Sequence, residues 1–353
     1  MRRAAVQTRA TVIVPTFNER DNLEPLVRRI SAALPEAEIL VVDDASRDGT
    51  ADRARELARD FPVRVIERFD ERGLSTAVMR GIGEASGDLC VVMDADLSHP
   101  PEAIPLLVQA VEEGADVAVG SRYVPGGDID GWPLFRRLAS GAGTLLARPL
   151  TSVRDPMAGF FCLRRSLLRG IELKPRGFKI LLEILARAGN PRTVEVPIRF
   201  EDRAAGLSKF GARERKDFLR QVAILYRDLN AWPWRALKFL LTGASGYAVH
   251  LAVLTSLVEF LGIPPLAAAV AGFVVAMTSN YGLNRVWTFR ARAAPVASSY
   301  VRYAAGAVGG LGVQLAVMHV LSHFHYAIAA SLGIAAGTLV TFLSSQLWAF
   351  ARR

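Results

Sequence analysis

Asp94 and Asp96 stand one residue apart, after the apolar run Leu89-Cys90-Val91-Val92-Met93 and before Leu97-Ser98-His99-Pro100. Two neighbouring carboxylates repel when both are ionised, and a cation beside them removes that penalty. Oxygen donors of this kind suit a hard divalent ion, which can in turn grip a diphosphate. The plain alternative is a solvated acidic turn. Two more acceptor-rich stretches lie upstream, Pro15-Thr16-Phe17-Asn18-Glu19 and Asp43-Asp44. Carboxylates accept hydrogen bonds from ribose hydroxyls and base amino groups, and an aromatic such as Phe17 packs on a base. Downstream, Arg136 and Ser140 are four apart and share a helix face, with Arg122 nearby in sequence. A cation and a hydroxyl one turn apart suit a phosphate; the same spacing equally describes a surface arginine beside a small packing serine.

The elements that must carry these groups are legible as alternating runs. Strands are expected at Thr11 to Pro15, Ile39 to Val42, Val63 to Ile66, the run before Asp94, and Asp116 to Val119. Helical spacing separates them at Asp21 to Leu34, Ala51 to Asp60 and Gly73 to Glu84. Strand, polar turn, helix, repeated, predicts an α/β fold with a mostly parallel sheet and flanking helices. In such sheets ligands bind at the carboxyl ends of the strands, where all three acidic loops fall. A dinucleotide-binding dehydrogenase would place glycines after the first strand, and Pro15 to Glu19 has none.

The three acceptor loops in this order resemble the nucleotide-sugar-binding domain of inverting family 2 glycosyltransferases with the GT-A fold. Asp94-Ala95-Asp96-Leu97-Ser98-His99-Pro100, Gly120-Ser121-Arg122-Tyr123, the Trp132/Arg136/Ser140 spacing, Asp155-Pro156-Met157-Ala158-Gly159-Phe160-Phe161 and Arg203-Ala204-Ala205-Gly206-Leu207-Ser208-Lys209 narrow the likeness. Over residues 11 to 211 the chain resembles dolichol-phosphate mannose synthases. The resemblance implies transfer of mannose from GDP-mannose to a dolichyl or polyprenyl monophosphate, with inversion to a β-linked product. By that analogy Pro15, Phe17, Glu19 and Asp44 face the nucleotide, and Asp94 and Asp96 with Ser98 hold Mg²⁺ or Mn²⁺ on the diphosphate. Arg122, Arg136 and Ser140 take the lipid phosphate, and Arg203, Ser208 and Lys209 lie on a loop that closes over the donor. Turnover is expected to depend most on Asp96. Glucose or another hexose from UDP is the rival donor. No dedicated base is needed, because a phosphate monoester with a second pKa of about 6 arrives as a dianion.

The formal charge of +9 is concentrated in the second half, where only Glu259 is acidic from residue 231 onward. The basicity is therefore a membrane signature and not a nucleic-acid footprint. From Ala212 to Asn230 a basic amphipathic helix is expected, suited to an anionic bilayer surface or to packing on the catalytic domain. Four apolar stretches follow, roughly Ala236 to Val258, Pro264 to Leu283, Tyr300 to Leu321 and Tyr326 to Trp348, each about the 20 residues that cross a bilayer. The distribution of Lys and Arg puts both termini and the catalytic domain in the cytosol, beneath a plasma or endoplasmic-reticulum-type membrane. His250-Leu251-Ala252-Val253-Leu254 echoes Gln314-Leu315-Ala316-Val317-Met318, and Val286-Trp287-Thr288-Phe289 echoes Leu347-Trp348-Ala349-Phe350, so two repeated hairpins are implied. This half resembles the GtrA-like membrane domain. Its polar residues His250, Asn280, Asn284, Gln314 and Gln346 read as interhelical hydrogen-bond partners, with a lipid-flipping pathway as the competing reading. The organisation expected is a glycosyltransferase domain over 1–211, an interface region over 212–232 and an all-α four-helix transmembrane domain over 233–353. Cys90 and Cys162 read as small buried hydrophobes, and Met1 to Ala10 lacks the apolar core of a cleaved signal peptide. Oligomeric state is not encoded in any of these patterns.

Overall fold

The computed structural model describes residues 9–129, 131–174, 179–201, 212–291, 295–323 and 325–351. The chain divides into two compact units, Met1–Ala231 and Trp232–Arg353. In the first, β1 (Ala10–Thr16), α1 (Arg20–Ala33), β2 (Glu38–Asp43), α2 (Thr50–Leu57), β3 (Val63–Glu67), α3 (Leu74–Glu84) and β4 (Leu89–Val92) follow the expected alternation. Then come α4 (Ile104–Glu112), β5 (Val117–Ser121), β6 (Asp128–Ile129), α5 (Leu134–Ala147), β7 (Phe161–Arg164), α6 (Ile180–Arg187), β8 (Thr193–Pro197), β9 (Arg199–Phe200) and α7 (Ala212–Asp228). Seven strands form one sheet in the order β3-β2-β1-β4-β7-β5-β8. β7 alone runs antiparallel, against both β4 and β5.

Strand residues alternate between the two faces. Val12 and Val14 pack with Leu23, Leu26 and Ile30 of α1 and Ile104 and Leu107 of α4. Ile13 packs the other way, with Val78 and Ile82 of α3 and Ile180 and Ile184 of α6. A strand covered on both faces must be apolar throughout, which is why β1, β2 and β4 read as continuous hydrophobic runs. Burial also explains the cysteines: it pushes the Cys90 thiol up to about 12 and Cys162 higher than an ordinary thiol, so both stay protonated and free.

α7 belongs to the first unit. Val222 and Leu225 share a small buried cluster with Ala147 of α5 and Leu182 and Ala186 of α6. The Tyr226 hydroxyl donates to the Leu146 carbonyl. Arg187 binds Glu183 at 2.9 Å and Asp228 at 3.1 Å, linking α6 to the end of α7. The opposite side of α7 leaves Arg215, Lys216, Leu219 and Arg220 exposed.

The second unit comprises α8 (Trp232–Leu261), α9 (Pro265–Leu283), α10 (Val296–Val320) and α11 (Tyr326–Ser344), and π-helical turns at Asn284–Thr288 and Ser345–Ala349 extend α9 and α11. Four helices are long and apolar enough to cross a membrane. The first and third begin four residues earlier than hydropathy suggested, at Trp232 and Val296, because Trp232-Pro233-Trp234-Arg235 and Val296 to Ser299 continue the helices beyond the apolar runs. The repeat is structural. Six buried aromatics form one cluster, and they are three repeat-related pairs: Phe239 with Tyr303, Tyr281 with Phe342, and Phe289 with Phe350. Equivalent glycines permit equivalent approaches: a Cβ on Gly246 would meet Asn280, and one on Gly310 would meet Thr341. Asn284 donates to the Tyr303 hydroxyl at 3.2 Å, joining the two hairpins as an interhelical partner.

Candidate active site

The loops after β1, β2 and β4 converge on one edge of the sheet, since β1 lies between β2 and β4. Each loop carries a non-glycine residue with positive φ: Asn18 at 57°, Ala45 at 53° and Leu97 at 62°. Left-handed backbone at such residues is uncommon and persists only where surroundings over-determine it. Hydrogen bonds supply that constraint. The Asn18 N–H donates to Ser46 Oγ at 2.8 Å, and the Arg47 N–H to Asn18 Oδ1 at 3.1 Å. Asp43 accepts from Thr16 Oγ1 at 2.8 Å and from the Ser46 N–H at 2.8 Å.

The predicted nucleotide residues do not all present side chains. Phe17 is exposed, with the Arg72 guanidinium 5.8 Å from its ring centre. Glu19 is half-buried and accepts from Asn22 Nδ2 at 2.8 Å. Pro15 is buried within β1 opposite Val42, so it shapes the strand end and offers no side-chain face. Asp44 is buried against Arg68, whose Nε donates to it at 2.7 Å, while the Gly73 N–H donates to its other oxygen at 2.8 Å. Those partners make Asp44 the anchor of the β3–α3 loop beside this edge of the sheet.

Asp94 and Asp96 sit on the turn after β4. Asp94 keeps about a third of its side chain exposed, at 33%. Asp96 is buried, and both the N–H and the hydroxyl of Ser98 donate to its Oδ1. Ser98, which the resemblance offers as a further metal ligand beside the two carboxylates, supports Asp96 through both bonds. A Cβ on Gly159 would come within 2.8 Å of Asp94 Oδ2, so the glycine lets the Asp-Pro-Met-Ala-Gly loop close against this carboxylate without displacing it. Below them, His99 stacks on Phe160 and accepts the Asp94 N–H at its Nδ1, at 3.3 Å. Burial pushes the His99 pKa down, the Asp94 and Asp96 carboxylates only partly offsetting it, so His99 is a neutral strut.

The expected phosphate residues are gathered, though not as free cations. Arg122 grips the fully buried Asp155 with Nε and Nη2, each at 2.8 Å, and its N–H binds the same carboxylate at 3.1 Å. Burial disfavours the Arg122 charge, yet Asp155 outweighs it and raises the pKa. The guanidinium also lies 5.2 Å from the Trp132 ring and 5.3 Å from that of Phe200. Arg136 stacks over Trp132 at 4.1 Å, and Ser140 accepts from the Tyr123 hydroxyl at 2.8 Å. One side of α5 around them leaves Leu134, Phe135 and Leu138 exposed. Arg203, Ser208 and Lys209 lie outside the described residues.

Sequence reading gave no role to Lys179, the residue that caps α6. Its ammonium donates to the Met157 carbonyl at 3.0 Å and feels Arg122, Asp94, Asp155 and Arg136. Burial and the two arginines pull its pKa down to about 8 against the opposing carboxylates. Asp155 was visible within its motif, but nothing in the spacing marked it as the partner of Arg122. Among the described residues no group of three His, Cys, Asp or Glu is arranged to enclose a metal ion. Two carboxylates on one turn, with cations beyond them, fit instead a hard ion completed by ligand oxygens.

Residues 11–171 match Glycosyl transferase family 2, and residues 238–350 match the GtrA/DPMS transmembrane domain. A dolichol-phosphate mannosyltransferase of Pyrococcus furiosus is 42% identical over 92% of this chain and 95% of its own length. A dolichol-phosphate mannosyltransferase of Mycosarcoma maydis is 43% identical over 62% of this chain and 79% of its own. The crystal structure of mannosyl-3-phosphoglycerate synthase from Rubrobacter xylanophilus shares the fold, with a TM-score of 0.52 and 24% identity, covering 63% of this chain and 74% of that one.

Proposed function

Because this chain belongs to the dolichol-phosphate mannosyltransferases of glycosyltransferase family 2, we propose that it moves mannose from GDP-mannose to a polyprenyl monophosphate by a single inverting displacement at the carboxyl edge of β1, β2 and β4. The observation that carries this reading is the juxtaposition of a carboxylate pair with Arg122, Arg136 and Lys179. Such a site has to hold two anions within reacting distance, and positive charge on each is what brings them together.

In this reading Asp94 and Asp96 hold a divalent cation, Mg²⁺ or Mn²⁺, on the donor diphosphate. When bound, that ion supplies charge stabilisation to the leaving group. Phe17 and Glu19 border the nucleotide, with Asp44 fixing the neighbouring loop. Arg136 and Ser140 orient the lipid phosphate from α5, and Arg122, held by Asp155, contributes positive potential beside them. The exposed Leu134, Phe135 and Leu138 on the same helix support this reading, because an apolar face beside the phosphate suits the lipid's hydrocarbon chain. The phosphate dianion attacks the anomeric carbon as the bond to the diphosphate breaks, and no protein base is required. The membrane unit anchors the enzyme, with the catalytic unit on the cytosolic side.

Purified protein with polyprenyl phosphate and Mg²⁺ or Mn²⁺, offered radiolabelled GDP-mannose or UDP-glucose, tests the reading by label recovered in organic solvent. Transfer from GDP-mannose alone is expected; transfer from UDP-glucose alone would overturn the sugar assignment. Arg136→Ala is expected to raise the KM for lipid phosphate by roughly 10- to 100-fold, the scale of a hydrogen bond to a charged group, while the donor KM stays near wild type. An unchanged lipid KM would remove Arg136 from the acceptor site.

Lys179, whose ammonium feels Asp94, belongs to the donor-diphosphate side in this reading, and its pKa of about 8 sets a further expectation. A lysine with a lowered pKa is charged below that pH and neutral above it. Donor kcat/KM, which reports the free enzyme, should therefore fall on the alkaline side of about pH 8. Lys179→Arg, always charged, should abolish that limb. A limb that persists unchanged in the arginine variant belongs to another group.

A further inference from the structure

Gln221 sits on the inner side of α7 between groups that pack apolar surface. It is 3% exposed, next to buried Val222 and one turn before buried Leu225. An aliphatic residue would fill this place as readily as the amide does. Its Nε2 donates to the backbone carbonyl of Lys179 at 3.2 Å, while its Oε1 has no hydrogen-bond partner among the described residues. A buried amide with one end unsatisfied is costly, so retaining it points to the bond made by its other end.

That bond reaches the candidate active site. The Lys179 carbonyl held by Gln221 and the Lys179 ammonium bound to the Met157 carbonyl are the two ends of one residue. Met157 is buried, and its methyl group would lie 2.9 Å from a Cβ placed on Gly143 of α5, with Phe218 of α7 at 3.6 Å from the same point. α7 thus meets Lys179 from behind through Gln221 and borders the Met157 contact through Phe218. Its far end is fixed separately by Asp228, which binds Arg187. The backbone of Lys179, the N-cap of α6, stands at φ −110° and ψ 61°, outside helical values, so Gln221 adds its bond to a carbonyl that otherwise only opens the ladder of the helix.

We propose that Gln221 is a positioning residue for the transfer reaction: by fixing the main chain of Lys179 it aims that ammonium at the donor diphosphate. The proposal rests on the reading of Lys179 as part of the donor site. Its consequence is that a residue on α7, with no contact to either substrate, sets donor affinity.

The test uses the full-length protein in bilayer nanodiscs with GDP-mannose and a polyprenyl phosphate. Gln221→Met keeps the volume and removes the donor, and Gln221→Glu keeps the reach without an N–H, so one serves if the other folds poorly. Either should raise the GDP-mannose KM roughly three- to tenfold and leave the lipid KM unchanged. Val222→Ala, which loosens the same helix without touching Lys179, should lower the melting temperature and leave the donor KM alone. In a Lys179→Ala background, Gln221→Met should add nothing further to the donor KM, because the group it aims is gone. Equal effects of Gln221→Met on both KM values, or additivity with Lys179→Ala, would overturn the proposal. A Lys179→Ala variant with normal donor KM would overturn it as well, and would show that the fault lies in the assignment of Lys179. An effect of Lys179→Ala without one of Gln221→Met would leave that assignment standing and reject the coupling alone.

Discussion

Asp96→Asn should lower turnover by roughly two to three orders of magnitude while the protein folds and melts almost as before, the scale seen when one preorganised group facing transition-state charge is removed. The substitution is close to isosteric. An asparagine oxygen can still accept from the Ser98 N–H and hydroxyl, which now bind Asp96 Oδ1, so the turn after β4 keeps its internal bonds. What is lost is one of two negative charges. Asp94, the more exposed of the pair, would then hold the cation alone against the positive field of Arg122 and Lys179. The effect should appear in kcat with saturating Mg²⁺ or Mn²⁺, measured beside thermal melting. Ser98→Ala separates the two functions of the turn. It removes the supporting hydroxyl and leaves both carboxylates, so a loss below about tenfold is expected, the worth of one hydrogen bond. Turnover of Asp96→Asn within a few-fold of wild type would reject the carboxylate pair as the seat of the cation.

This division between Asp96 and Ser98 shows where sequence reading carries and where it stops. The parallel core was legible because β1, β2 and β4 are covered on both faces, so their burial is written as unbroken apolar runs. The carboxylates at the strand ends were legible because they interrupt those runs, but their burial was not: Asp44 and Asp96 are enclosed by hydrogen-bond partners that no spacing announces. β7 carries no comparable sign. Phe161-Cys162-Leu163-Arg164 is as apolar as its neighbours, and strand direction is set by the connections around it, not by composition. That reversed strand brings the Asp155 to Gly159 loop to the edge, and with it the partner of Arg122 and the glycine that accommodates Asp94. Lys179 was hidden for a related reason. A lysine before an apolar helix is ordinary in sequence, and only the tertiary packing of α6 under the β7 loop gives it four charged neighbours. In the membrane half, the repeat foretold two hairpins. It did not show that the aromatics at repeat-related positions would collapse into one cluster, because that requires both hairpins to be packed together.

The Arg122–Asp155 pair yields the second large effect, and it tests stability and chemistry separately. Asp155 is 0% exposed and Arg122 9%. Removing one member of such a pair strands a buried charge, at a cost of about 3–5 kcal/mol. Asp155→Ala should therefore lower the melting temperature of the catalytic unit by roughly 6–20 °C, since each kcal/mol shifts a unit of this size by about 2–4 °C. Turnover should fall as well, because Arg122 would no longer be held beside Trp132 and Phe200. Loss of both properties in one variant does not say which caused the other. The double replacement Arg122→Met with Asp155→Leu separates them, because exchanging a buried ion pair for apolar groups of similar volume is often neutral or stabilising. If Arg122 supplies positive potential for the acceptor phosphate, the double variant recovers its melting temperature and remains deficient, with the deficit concentrated in kcat and the lipid KM. If the pair only braces the loop between β7 and α5, activity returns with the fold. Recovery of both would leave Arg136, Ser140 and Lys179 to hold the two anions, and Arg122 would belong with His99 among the buried struts of the site.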